Sequence, residues 1–404
     1  MKIIEVKSRE ILDSRGWPTV ETDITIEGNI TGRASVPSGA STGSNEALEL
    51  RDNEKRYLGK GVLKAVNNVN TIIKENIINK DFKNFQELDE LLIKLDNTKN
   101  KTNLGANAIL SVSLAYIKAC AQKENKELYQ YIGEKKQVPK CMFNILNGGM
   151  HADNKIEFQE FMIMVNRKTI KEQLQIASEI FHNLKNILKE QGYSTNVGDE
   201  GGFAPNLKNN EEALDTIIKA IEISGYKPKE DVLIALDIAA SSFYDKNKKM
   251  YLIDNTYKTT DQMIEMYKEL IKKYPIFSIE DPLEEQDFIG FSKLTNELNT
   301  NIVGDDLYTT NKNLLQKGIE NKSTNFILLK ANQIGTISEM LETINLAREN
   351  NINMIISHRS GETEDTFISD FAVGLGIPYM KSGSLSRGER ICKYNRLLRI
   401  EENL

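Results

Sequence analysis

The sequence predicts an α/β protein in two parts: an N-terminal α+β domain over residues 1–133, with an antiparallel sheet plus helices, then an irregular (β/α)8 TIM-type barrel over residues 134–404. Two observations point to the barrel. Between Val232 and Lys381, short β-branched, apolar runs close in turn on Asp237, Glu280, Asp305, Lys330, His358 and Lys381. These closing residues fall between 23 and 43 residues apart, about what one parallel strand and its crossover helix need. Apolar runs without alternation suit strands covered on both faces, and catalytic groups of such barrels gather at the C-terminal strand ends. The third observation is length, because 404 residues exceed the ~250 of a barrel and leave room for a second domain.

Taken in order, residues 2–7, 18–27 and 30–36 read as strands, with Gly28-Asn29 making a tight hairpin between the second and third. The charged stretch Asp13–Glu21 between the first two reads equally as a loop or as part of a domain or subunit contact. Pro37-Ser-Gly-Ala-Ser-Thr-Gly43 has the small residues and hydroxyls of a mobile loop able to approach a ligand closely. Residues 61–78 and 103–124 carry helical spacing and should cover the opening sheet. Glycine, proline and charge between Gly133 and Pro139 place the domain boundary. Cys141–Leu146 and Gln159–Val165 read as strands joined by a short loop bearing His151, so they pair antiparallel and the barrel starts irregularly. Thr169–Gln191 is an amphipathic helix stopped by Gly192, with His182 beside its apolar stripe in a structural role. In Gly198-Asp-Glu-Gly-Gly202, glycines flank two acids closely, and Glu200 is the candidate positioned carboxylate.

Composition narrows the function. A formal charge of −6 and a pI near 5.5 argue against a general affinity for nucleic acid. A local cationic mouth of Lys330, Arg359 and Lys381 would still attract a small anionic substrate. Cys120, Cys141 and Cys392 form no CxxC pair, so neither a zinc knuckle nor a disulfide framework is expected. The N-terminus lacks the apolar core of a signal peptide and no apolar run approaches the ~18 residues of a membrane span, so a cytoplasmic location is expected. P-loop, GxGxxG and HExxH motifs are absent. What remains is three carboxylates on successive strands, a set of hard oxygen ligands that suits Mg²⁺, followed by Lys330, the His358-Arg359-Ser360 cluster and Lys381.

Nine stretches in chain order then carry a resemblance: Asp13-Ser-Arg-Gly, Pro37-Ser-Gly-Ala-Ser-Thr-Gly, Asn147-Gly-Gly-Met-His-Ala, Gln159-Glu-Phe-Met, Gly198-Asp-Glu-Gly-Gly, Ser278-Ile-Glu-Asp-Pro, Gly304-Asp-Asp-Leu, Leu329-Lys-Ala-Asn-Gln-Ile-Gly and Ser357-His-Arg-Ser-Gly-Glu-Thr-Glu-Asp. Along nearly its whole length the chain resembles the enolase family. The resemblance implies reversible dehydration of 2-phosphoglycerate to phosphoenolpyruvate in glycolysis, with two Mg²⁺ per site, the second arriving with substrate. It implies Asp237, Glu280 and Asp305 as ligands of the tighter ion, and Ser41 as a ligand of the second and a neighbour of substrate phosphate. It makes Lys330 the base and Glu200 the acid, with Glu160 and Gln159 as partners of that acid and of substrate. His151 is then the loop histidine, His358 sits beside substrate, Arg359 and Ser360 clamp phosphate, and Lys381 meets the carboxylate. A homodimer or larger homo-oligomer is expected. Trp17, where the family usually has asparagine, and Val138-Pro-Lys-Cys141 depart from the pattern, but neither falls on a catalytic position. An enolate-forming acid-sugar dehydratase or racemase would lack the phosphate-binding loop, and a scaffold protein that had lost activity would not keep every catalytic residue.

Overall fold

The computed structural model describes residues 1–40 and 42–404; Ser41, expected to bind metal and substrate, lies outside the described residues. The chain opens with β1 (Ile3–Leu12), β2 (Pro18–Ile26) and β3 (Ile30–Ser35), an antiparallel sheet in that order. β1 runs five residues past the expected end at residue 7, because its pairing with β2 continues to Leu12 opposite Pro18. The β2–β3 turn uses Gly28 and Asn29 at φ 92° and 59°, the left-handed region a tight hairpin requires. Helix Ala106–Lys123 lies on this sheet and buries Ala108, Val112, Ala115 and Ala119. The approach is so close that a Cβ on Gly32 would stand 2.0 Å from the Ala115 carbonyl oxygen. The expected helix 61–78 forms as Leu63–Asn68 and Lys74–Ile77 joined by a π-helical turn at Val69–Ile73.

Helix Phe85–Asp96 was not legible in the sequence, and it carries a contact between the two parts of the chain. The Asp89 carboxylate, fully buried, accepts hydrogen bonds from the Ser338 amide (2.9 Å) and hydroxyl (2.6 Å) at the start of helix Ile337–Glu349. Burial outweighs these bonds and pushes Asp89 up to about 6. A carboxyl raised on folding binds its proton more tightly in the folded state, so its contribution to stability falls as pH rises from about 4 to about 6. Asp89→Asn should remove that slope. The stability of the parent relative to this variant is expected to fall by on the order of 2 kcal/mol between pH 4 and pH 6.5; a pH-independent difference in urea unfolding would contradict it.

The barrel comprises β4 (Lys140–Asn147), β5 (Glu160–Val165) and β6 (Val232–Asp237); after a small sheet of β7 (Tyr244–Asp245), β8 (Met250–Ile253) and β9 (Thr256–Lys258) come β10 (Ile276–Glu280), β11 (Asn301–Gly304), β12 (Phe326–Leu329), β13 (Asn353–Ser357) and β14 (Tyr379–Lys381). It closes where β14 pairs parallel with β4. β5 runs antiparallel to both β4 and β6, and the remaining pairs are parallel, so the expected irregular start is present. The unusually long step from Asp237 to Glu280 holds the small sheet β7–β9 in addition to the expected crossover helix. Helix Ile170–Glu190 is capped by the Thr169 hydroxyl, which accepts from the Glu172 amide at 3.2 Å, and Gly192 at φ 77° follows it. Inside the barrel, Met142, Met162, Met164, Val303, Leu328 and Ile355 form a cluster of their own. The rings of Phe277, Phe326 and Tyr379 meet there at 5.2–6.0 Å, so the barrel is a packed floor beneath its mouth.

Candidate active site

Strand register gathers the charged groups. Asp237 ends β6 directly opposite Glu280 at the end of β10. Because β5 runs the other way, its first residue reaches the same level, and Glu160 pairs with Asp237. β11 stops at Gly304, leaving Asp305 just above it, and Lys330 follows β12 as the cap of the short helix Ala331–Ile334. Lys381 ends β14 opposite Ser357, the last residue of β13, so His358, Arg359 and Ser360 emerge beside it. One cavity is lined by His151, Gln159, Glu160, Glu200, Asp237, Lys330, His358, Arg359, Ser360 and Lys381. Of the predicted site residues, only Glu280 and Asp305 among those described are not on its wall, and both adjoin it through the lysines.

The lysines are the hubs. Lys381 Nζ lies 2.9 Å from Asp237 Oδ2, 3.0 Å from both Glu280 oxygens and 3.2 Å from Glu160 Oε2. Burial alone would lower its pKa, but Asp237, Glu160 and Glu280 outweigh burial and hold it well above the ordinary lysine value. Lys330 Nζ donates to Asp305 Oδ2, whose other oxygen accepts from Gln333 Nε2 at 2.9 Å. Burial depresses Lys330, Asp305 more than restores it, and the net direction is upward. Burial and the neighbouring Asp237 push Glu280 well up. More carboxylates are thus enclosed here than the two ammonium groups neutralise.

On the opposite wall, His151 Nδ1 stands 3.6 Å from Glu160 Oε1 and 3.6 Å from Glu200 Oε1. Glu200 Oε2 accepts from Asn144 Nδ2 at 3.0 Å and lies 3.4 Å from His358 Nε2. Arg390 Nη1, always a donor, is 2.5 Å from His358 Nδ1, so Nε2 carries the imidazole hydrogen and faces Glu200. Burial lowers His358 to about 4 and depresses His151 as well. The two acids separate. Burial and the charge of Glu200 hold Glu160 well above the carboxylate range; burial would raise Glu200 too, but His151, His358 and Arg390 more than offset it and hold it well below.

Several contributors were missed. Asn144 sits within β4 with no distinguishing spacing, and Arg390 comes from the C-terminal helix Gly388–Glu401. Fully buried, Arg390 also donates to the Arg359 and Ser360 carbonyls at 2.7 and 2.6 Å, fixing the segment after β13. Asp281 and Asp306 had a signal, as the second acids of Glu280-Asp281 and Asp305-Asp306. Asp281, at φ 41°, accepts from the Asp305 and Asp306 amides at 2.9 and 2.8 Å and so orients Asp305. Burial, reinforced by Asp305, pushes Asp306 up to about 8. Among the described residues, two groups bring three potential ligand atoms within 4.8 Å of one another: His151 with Glu160 and Glu200, and Asp281 with Asp305 and Asp306. The expected trio Asp237, Glu280 and Asp305 is instead divided between Lys381 and Lys330. Asp13–Glu21 proves to be a contact within the chain: the Ser14 amide donates to the Glu362 carbonyl at 2.7 Å, and Arg15 Nη1 reaches Ser360 Oγ at 3.4 Å.

This fold and site define a two-domain β/α-barrel enzyme whose acid–base groups and acidic clusters converge on one mouth. The family model described as "Enolase, N-terminal domain" matches residues 3–132, and that described as "Enolase, C-terminal TIM barrel domain" matches residues 135–404. The chain belongs to the enolase family, and is therefore a metal-dependent lyase acting on a small molecule. Among the described residues no helix is long and apolar enough to cross a membrane.

Proposed function

We propose that this lyase dehydrates 2-phosphoglycerate reversibly to phosphoenolpyruvate. The observation that carries the reading is that Lys330, Glu200 and Arg359 line one cavity, so a base, an acid and an anion-binding guanidinium face a single small molecule. In this reading Lys330 Nζ takes the proton from the carbon between carboxylate and phosphate, and the bonding electrons pass to the carboxylate oxygens, near which Lys381 supplies positive charge. The bond to the hydroxyl then breaks, and the departing hydroxide takes a proton from Glu200 and leaves as water. Glu160, whose carboxyl burial and the charge of Glu200 push upward, and His151, between the two acids, form the store from which Glu200 is recharged. His358 orients Glu200, Gln159 fixes Asp237 through a 3.3 Å bond from Nε2, and Arg359 with Ser360 holds the phosphate.

The donor set fits Mg²⁺: oxygen ligands on Asp237, Glu280 and Asp305, buried with carboxylate in excess and with Glu280 pushed upward by burial and Asp237, are stabilised by a hard divalent cation. Bound there, Mg²⁺ would neutralise charge on the substrate carboxylate and, by engaging Asp305, remove the partner that keeps Lys330 protonated. The test is an absorbance assay of purified protein on 2-phosphoglycerate with Mg²⁺. Formation of phosphoenolpyruvate is expected, and no product at any Mg²⁺ concentration would refute the reading.

A further inference from the structure

We propose, resting on the function proposed above, that Glu46 is a positioning residue that holds Arg359 in its anion-binding pose and links it to Asp305. Arg359 projects from the barrel mouth, yet the carboxylate that meets it comes from the N-terminal part of the chain. Arg359 Nη1 donates to Glu46 Oε2 at 2.9 Å and Nη2 donates to Glu46 Oε1 at 3.1 Å. Two parallel bonds fix the plane of a guanidinium as well as its place. Asn332 Oδ1 accepts from Nη1 at 3.0 Å. Both side chains of the pair are almost enclosed, 3% and 7% exposed, so solvent screens the interaction little.

Glu46 does more than neutralise a charge. Its Oε1 also accepts from the Gly43 amide (3.1 Å) and from Gln333 Nε2 (3.3 Å), and the same Gln333 nitrogen donates to Asp305 Oδ1 at 2.9 Å. One carboxylate therefore joins the anion-binding arginine to a candidate metal ligand on the neighbouring wall. The segment that carries Glu46 is anchored to the barrel on both sides of it. Ser38 and Gly361 exchange backbone bonds of 2.7 and 2.8 Å, the Ala40 amide donates to Ser360 Oγ at 2.7 Å, and the Ala47 amide donates to the Gln333 carbonyl at 2.8 Å. The anion-binding end of the site is thus completed by the N-terminal part of the chain, through a residue that is itself outside the catalytic cavity.

The test compares the parent, Glu46→Gln and Glu46→Asp by kcat and KM for 2-phosphoglycerate and by inhibition with inorganic phosphate. Glutamine keeps the size but loses the charge and one acceptor, so KM and the phosphate inhibition constant should both rise about tenfold, the scale of a lost charge-assisted bond, with kcat changing much less. Aspartate, charged but too short to keep both bonds, should fall between, and decides the matter if the glutamine variant does not fold. In a double-mutant cycle with Arg359→Lys, the effects should be strongly non-additive. An unchanged KM, a loss confined to kcat, or additive effects would overturn the proposal. A lower KM would also overturn it, since Glu46 would then only compete with the anion. If the parent shows no turnover, the functional reading falls by itself, and calorimetry with inorganic phosphate decides on Glu46: weaker binding by the variants supports its role, and equal binding refutes it.

Discussion

Lys330→Ala incubated with 2-phosphoglycerate and Mg²⁺ in D₂O is expected to form no phosphoenolpyruvate and to incorporate no deuterium at the α-carbon. On the proposed route the α-proton leaves first, and among the groups lining the cavity Lys330 is the one assigned to receive it. His151 and His358 are committed to the two acids and to Arg390. Glu200→Gln should behave differently: overall turnover falls by about 10²-fold or more, the scale of a lost general acid, while Lys330 still removes and returns the α-proton, so exchange persists. Proton NMR of recovered substrate separates the cases. Deuterium in the Lys330 variant, or none in a folded Glu200 variant, would show that the two roles are reversed or that the steps are concerted.

Removing divalent cations with EDTA is expected to abolish turnover and to lower the melting temperature relative to protein in Mg²⁺. The site encloses Asp237, Glu280, Asp305, Glu160 and Glu200 at 6% exposure or less, against Lys330 and Lys381. An ion that binds only the folded state stabilises it by mass action. The pair of Asp305 with Lys330 gives a second reason, since without a competing cation the proposed base stays protonated. Asp305→Asn should shrink the Mg²⁺-induced rise in melting temperature. Full activity after verified metal removal, or a melting temperature indifferent to Mg²⁺ in the parent, would refute the metal assignment.

Much of the architecture could be read directly. Buried parallel strands must be apolar throughout, so Val232–Leu236 or Phe326–Leu329 declare themselves, and the first ionisable residue after each marks the mouth. Elements without that constraint were harder. The short β7–β9 pairs within one loop and has no long apolar run. Helix Phe85–Asp96 is short, burying Phe85, Leu88 and Leu92 at helical spacing, and its start is marked by Asn84, whose side chain accepts from the Glu87 amide.

By itself the sequence determined which residue types stand at the strand ends and the order in which they arrive, because strand length and burial fix where an apolar run must stop. It also determined His151 and Glu200 as candidates, through the loop and the glycines around them, while Glu160 was a candidate through the family resemblance alone. Only the tertiary structure decided how these groups are paired. That β5 also pairs with β6 brings Glu160 beside Asp237; that Asn144 reaches Glu200 and Arg390 reaches His358 orients the acid and the ring beside it; that Glu46 crosses from the N-terminal part orients Arg359. The reason is physical: a residue's chemistry is written in its own side chain, whereas its charge state and pose depend on burial and on partners as many as 376 residues away, which nothing local in the chain specifies.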